Sequence, residues 1–235
     1  MDNTNSSPKI ETVLVALTQM TFDRLEKRTG DLEESGEMET GEPDFWEQAQ
    51  YRWEMAGALV EALRASGRTA EIVRLPQRSF IPRDISKAAF AWRLVDLKES
   101  NGRPIDLVVC LDFPAWSLQH PAKCCWLTSL PNFVTRSRSM VSPGDYPSGH
   151  SHKPISLTRS DRQAEDAKAI AGLLQAERRG LAESRRVLAA TRPLAEELAR
   201  RGLQVEYIPV PPDLSVGPTD PLWQAALKRL LKEPV

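Results

Sequence analysis

In the segment DLVVCLDFPAWSLQHPAKCCWLTSLP, residues 106–131, two apolar runs each stop at polar residues. The run 107–111 ends at Asp112-Phe113-Pro114, and the run 124–127 ends at Thr128-Ser129. A carboxylate and two hydroxyls at the ends of adjacent buried strands are either caps for the next turn or contacts for a ligand. Thr191 and Arg192 hold the equivalent place after a later strand. There they open a helix whose dipole favours an anion or a sugar hydroxyl oxygen. As a group, Asp112, Phe113, Thr128, Ser129, Thr191 and Arg192 suit the lining of one cleft.

The elements that must position these residues follow from periodicity. Residues 12–17, TVLVAL, form a continuous apolar run, as expected of a strand buried on both faces. A helix is predicted over 45–66, with Trp46, Ala49, Trp53, Ala56, Val60 and Leu63 at spacings of three and four, closed by Gly67. Residues 70–75 form a second strand. A helix over 85–98 leads through Asn101-Gly102 to the strand at 107–111. PAWSLQHP is a short helix or turn, and 123–127 a further strand. Ser160 and Gln163 make a capping box for a helix running to about residue 184. RRVLAAT is a strand, Pro193 and Gly202 bracket a helix, and QVEYIPVPP is a last strand. Residues 215–235 hold an amphipathic helix with Leu222, Trp223, Leu227 and Leu230 on its apolar side, which either covers the sheet or docks a partner. Strand and helix thus alternate about six times. The expected fold class is α/β, a Rossmann-like doubly wound, mostly parallel sheet of about six strands with helices on both faces, spanning 10–214.

Around this core, residues 1–9 are expected to be a disordered tail. Residues 31–44 hold seven acids and no base, which marks a solvated loop, and residues 136–158 form a Pro/Ser/Gly/His-rich loop. The whole chain of 235 residues has a formal net charge of −1, with 41% hydrophobic and 27% charged residues, so no global field favours nucleic acid or an anionic membrane. No apolar run reaches the ~20 residues of a membrane span, and the N-terminus lacks the basic and apolar regions of a signal peptide. Three cysteines, an odd count without metal-ligand spacing, are expected to be buried thiols. These features predict a cytoplasmic protein with no metal site. There is no G-x-G-x-x-G after any strand, no G-x-x-x-x-G-K-[ST] and no G-x-S-x-G elbow. His150 and His152 lack a third ligand. His120 lies beside a proline, where a structural role is the default, and the arginines of ERRGLAESRR alternate with Glu177 and Glu183 as on a solvated helix face.

Two longer stretches carry a resemblance. Residues 90–131 have a strand, Asp-Phe-Pro, a short helix, His-Pro-x-Lys and an apolar strand with Trp-Leu. Residues 181–214 have a strand, Ala-x-Thr, a helix, Gly and a strand with Pro-x-Pro-Pro. Together they resemble the N-terminal domain of family-4 glycosyltransferases, retaining enzymes of the two-domain GT-B fold, with a weaker match over 10–75. The resemblance implies an acceptor-binding domain, in which Asp112, Ser129, Asn132 and Arg192 position the acceptor. In that family the nucleotide sugar sits in a C-terminal domain. Its donor-site basic pair and paired-glutamate motif have no counterpart here, and a domain of that size needs upward of ~100 further residues. Close relatives carry His-Gln and then Arg where this chain has Ser129-Leu130 and Asn132, and TQMTFDRLEKRTG replaces a glycine-rich loop. The implied function is the acceptor half of a split retaining glycosyltransferase. It would hold no cofactor itself, would use a nucleotide sugar bound by a separate donor-domain chain, and would dock that chain through Leu222, Trp223, Leu227 and Leu230. A non-catalytic glycan- or partner-binding scaffold and a fragment of a longer product are the other readings.

Overall fold

A computed structural model of the chain describes residues 10–20, 44–77, 82–131 and 159–232. The predicted tail 1–9, residues 31–43 of the acidic stretch, the 136–158 loop, Asn132, His150 and His152 lie outside the described residues, as do the side chains of Ser160 and Gln163.

Six strands form one parallel sheet: β1 (Thr12–Met20), β2 (Thr69–Gln77), β5 (Leu107–Cys110), β6 (Lys123–Leu127), β7 (Arg186–Ala189) and β8 (Val205–Tyr207), in the order β2-β1-β5-β6-β7-β8. The expected α/β, Rossmann-like doubly wound architecture is present. Side chains along each central strand alternate between two apolar layers. Val13, Val15, Leu17, Val109 and Trp126 face helices α1 (Asp44–Ala65) and α5 (Pro221–Leu230). Leu14, Ala16, Val108, Cys110 and Cys125 face α2 (Pro82–Leu94), α3 (Arg159–Ala182) and α4 (Arg192–Arg200). Burial on both sides is why these strands are apolar throughout instead of alternating. α1 ends where Gly67 takes φ 84°, a conformation that costs glycine little.

Two details depart from expectation. The second helix stops at Leu94 and not at residue 98, because Asp96 accepts the Lys98 amide through Oδ1 at 3.1 Å and so competes with the next helical turn. Residues 99–104 then form a small antiparallel hairpin, β3 (Glu99–Ser100) and β4 (Arg103–Pro104), turned at Asn101-Gly102 with φ 52° and 73°.

β2 is an edge strand of nine residues. Its Thr69 amide bonds Glu11 O on the β1 side. In a parallel ladder the alternate residues Ala70, Ile72, Arg74 and Pro76 therefore turn their backbone groups to the free edge. Arg64 Nε donates to Ala70 O at 2.8 Å, and Pro76 has no N–H to offer, so the edge is blunted at both ends.

Candidate functional site

Strand order reverses between β1 and β5, the place where open α/β sheets bind ligands beyond their strand ends. Asp112, just past β5, bridges this point. Its Oδ1 and Oδ2 accept the Thr18 amide of β1 at 3.1 and 3.2 Å, and the Thr18 hydroxyl and Ala115 amide also bond it. Thr18 Oγ1 accepts from the buried Trp92 indole at 3.2 Å, which links the bridge to α2. Burial pushes the Asp112 carboxyl up to about 6, with the Arg52 charge and the Thr18 and Ala115 hydrogen bonds opposing the rise.

Arg52 comes from α1. Its Nη1 donates to Ser129 Oγ at 3.4 Å, and Ser129 Oγ donates to Gln48 Oε1 at 3.3 Å. Gln48 and Arg52 are four residues apart, so one face of α1 presents both to the end of β6. Burial lowers the affinity of the Arg52 guanidinium for its proton, and the Asp112 charge opposes that. These strand ends thus carry a half-buried guanidinium, a hydroxyl and an amide near the Asp112 carboxylate, groups suited to hydrogen-bonding a polar ligand.

The structure brings Asp112 and Ser129 together, with Thr128 half-buried beside Ser129. Phe113 is in the same turn, joined to Pro114 by a cis peptide, but its ring packs on Trp116 with centroids 5.4 Å apart and against Leu173 and Ile85. Thr191 and Arg192 lie two strands along the sheet, a separation of roughly 10 Å from β5 to β7 at the usual spacing. Thr191 Oγ1 caps α4 by accepting the Leu194 amide at 3.4 Å, and Arg192 lies over the Tyr207 ring at 5.2 Å. The docking expectation for α5 requires correction. Trp223, Leu227 and Leu230 are buried in the chain's own core, where Trp223 meets Trp126 edge to face at 6.4 Å, and only Leu222 is exposed, at 52%.

Arg52, Gln48, Thr18 and Trp92 were not among the residues singled out from the sequence. The i, i+4 pairing of Gln48 with Arg52 was the available signal. At the opposite, amino end of β6, Lys123 Nζ is fully buried and donates to the carbonyls of Trp116, Leu118 and Gly180 at 2.8, 3.0 and 2.7 Å. His120 is nearly buried, accepts the Ala122 amide at 3.1 Å through Nδ1, and is pushed to lower pKa by burial. Cys110, Cys124 and Cys125 are free, buried thiols. Among the described residues, no three His, Cys, Asp or Glu side chains gather as metal ligands, and no helix is long and apolar enough to cross a membrane. Comparison with known proteins gives no match: no family model, no curated protein and no solved structure matches the chain.

Proposed function

We propose that this chain is the acceptor-binding domain of a retaining glycosyltransferase, working with a nucleotide-sugar-binding domain supplied from outside these 235 residues and placed on a partner chain. The observation that carries the reading is the use of the motif residues 112–127. Asp112 ties β5 to β1, and His120 and Lys123 hold the turn between β5 and β6. Within the stretch that carries the family resemblance, Asp112 therefore lies at the carboxyl strand end where a ligand would sit, while His120 and Lys123 fix the opposite, amino end of β6.

In retaining transfer the nucleotide diphosphate leaves as an acceptor hydroxyl attacks, and most catalytic power lies in stabilising the leaving phosphates and the oxocarbenium-like sugar. Those ligands belong to the donor half. The contribution of this chain is placement: Ser129, Arg52 and Gln48 fix the acceptor against the donor, converting an encounter between two substrates into an oriented one. Asp112 has its oxygens engaged by Thr18 and Ala115 and holds the cleft floor in position.

The alternative is a non-catalytic glycan- or partner-binding scaffold. It is favoured by Ser129, whose hydroxyl is engaged by Gln48 and Arg52 where members of the family it resembles carry an imidazole. Co-expression with genomic neighbours, light scattering on the eluted complex and assay of sugar transfer separate the two. A stoichiometric partner with a second Rossmann-like domain, and transfer that needs both chains, is the expected result. Robust transfer by this chain alone, or a lone protein that binds glycans without any transfer, would overturn it.

A further inference from the structure

The cleft leaves one group poorly served. A guanidinium carries five N–H donors, and among the described residues Arg52 makes one hydrogen bond, the 3.4 Å contact to Ser129 Oγ. Ser129 is a neutral acceptor already paired with Gln48. Asp112 offsets the charge, but its carboxylate is taken up by the Thr18 amide, the Thr18 hydroxyl and the Ala115 amide. Among the described residues, Asp112 is the charged group that acts on Arg52. Arg52 is half-buried, and its remaining donors have no acceptor among the described residues. A planar oxyanion would meet them, since the arginine fork matches carboxylate and phosphate oxygens in pairs.

Resting on the acceptor-binding reading above, we propose that the acceptor is an anionic sugar, whose carboxylate or phosphate is clamped by Arg52 at the mouth of the cleft between β1, β5 and β6. The Ser129 hydroxyl and the Gln48 amide then contact neutral hydroxyls of the same ligand. Specificity would reside in the charge and its geometry. A neutral sugar would offer the guanidinium hydroxyl acceptors only, without the charge or the paired oxygens.

Calorimetric titration of the full chain with methyl glucoside, glucuronate and glucose 6-phosphate tests this. At least one of the two anionic sugars should bind about tenfold more tightly than methyl glucoside. Which of them gains more tells carboxylate from phosphate. Arg52→Gln should bring all three together, and Arg52→Lys, which keeps charge without the fork, should restore only part of the preference. Equal binding of neutral and anionic sugars by the unaltered chain would overturn the proposal and leave the acceptor reading standing, as would a preference that survives Arg52→Gln. Binding of inorganic phosphate or acetate as tight as that of the anionic sugars would overturn the sugar assignment. No binding of any sugar would remove both readings.

Discussion

At the scale of single residues, Asp112 is the group whose environment departs most usefully from water. Its carboxyl titrates near 6 in the folded chain, against about 3.9 in an unfolded one. Between those values the folded chain binds more protons than the unfolded chain, so this group makes stability fall as pH rises from about 4 to 6 and costs the fold up to about 3 kcal/mol above that. His120, lowered by burial, works in the opposite sense, because its neutral form is lost from the fold as pH drops. Glu183, held down to about 2 by Arg93 and Arg179, adds stability that disappears only as pH falls from about 4.5 toward 2. Urea unfolding of Asp112→Asn and the unaltered chain at pH 4 and pH 7 isolates the first effect. The variant should be relatively more stable at pH 7 by about 2–3 kcal/mol compared with their difference at pH 4. An unchanged difference would mean that Asp112 stays ionised throughout. Asp112 and Ser129 were legible in the sequence because an apolar run that ends in a polar residue has few other uses. Arg52 and Gln48 were not. Polar residues between Glu47 and Glu54 look like a solvated helix face, and only the tertiary fold turns that face toward a strand end.

Among the elements, the segment between β5 and β6 depends on α3. A Cβ on Gly180 would lie 2.7 Å from Trp116 Cδ1 and 2.8 Å from Trp116 O, and the second of these is backbone that cannot swing away. Gly180→Ala should therefore destabilise the chain by about 1–3 kcal/mol by thermal or urea unfolding, although alanine favours a helix interior by about 1 kcal/mol. Lys123→Met keeps the length of the side chain and orphans the three carbonyls that the ammonium serves. It should cost about 3 kcal/mol or more, and Lys123→Arg should not rescue it, since a planar fork does not fit three converging carbonyls. Most element positions were legible from period alone: α1, predicted over 45–66, spans Asp44–Ala65. The β3–β4 hairpin was passed over although Asn101-Gly102 is a strong turn signal, because its strands are two residues each and bury nothing. The role of α5 was ambiguous for a physical reason. One apolar stripe serves equally well against the chain's own sheet and against another protein, and Trp126 rising to meet Trp223 is what decides it.

For the whole molecule, fold class was legible and strand order was not. Parallel strands buried on both faces resemble one another, and nothing in a run such as Leu107–Cys110 names its neighbour. The order leaves β2 at one edge, guarded by Arg64 and Pro76. Arg64→Ala combined with Pro76→Val should expose a continuous row of backbone groups, and sedimentation should then show concentration-dependent self-association that the unaltered chain lacks. A variant that sediments as the parent does would show that the edge is protected in some other way. The three carbonyls around Lys123 also bear on synthesis. Two come from residues 116 and 118, but the third comes from Gly180, 57 positions downstream. A ribosome that has just released β6 has therefore made a strand whose charged first residue has no complete shell, and the first half of the sheet must wait for α3. Stalled nascent chains should stay protease-sensitive until Gly180 has cleared the exit tunnel and become resistant soon afterwards.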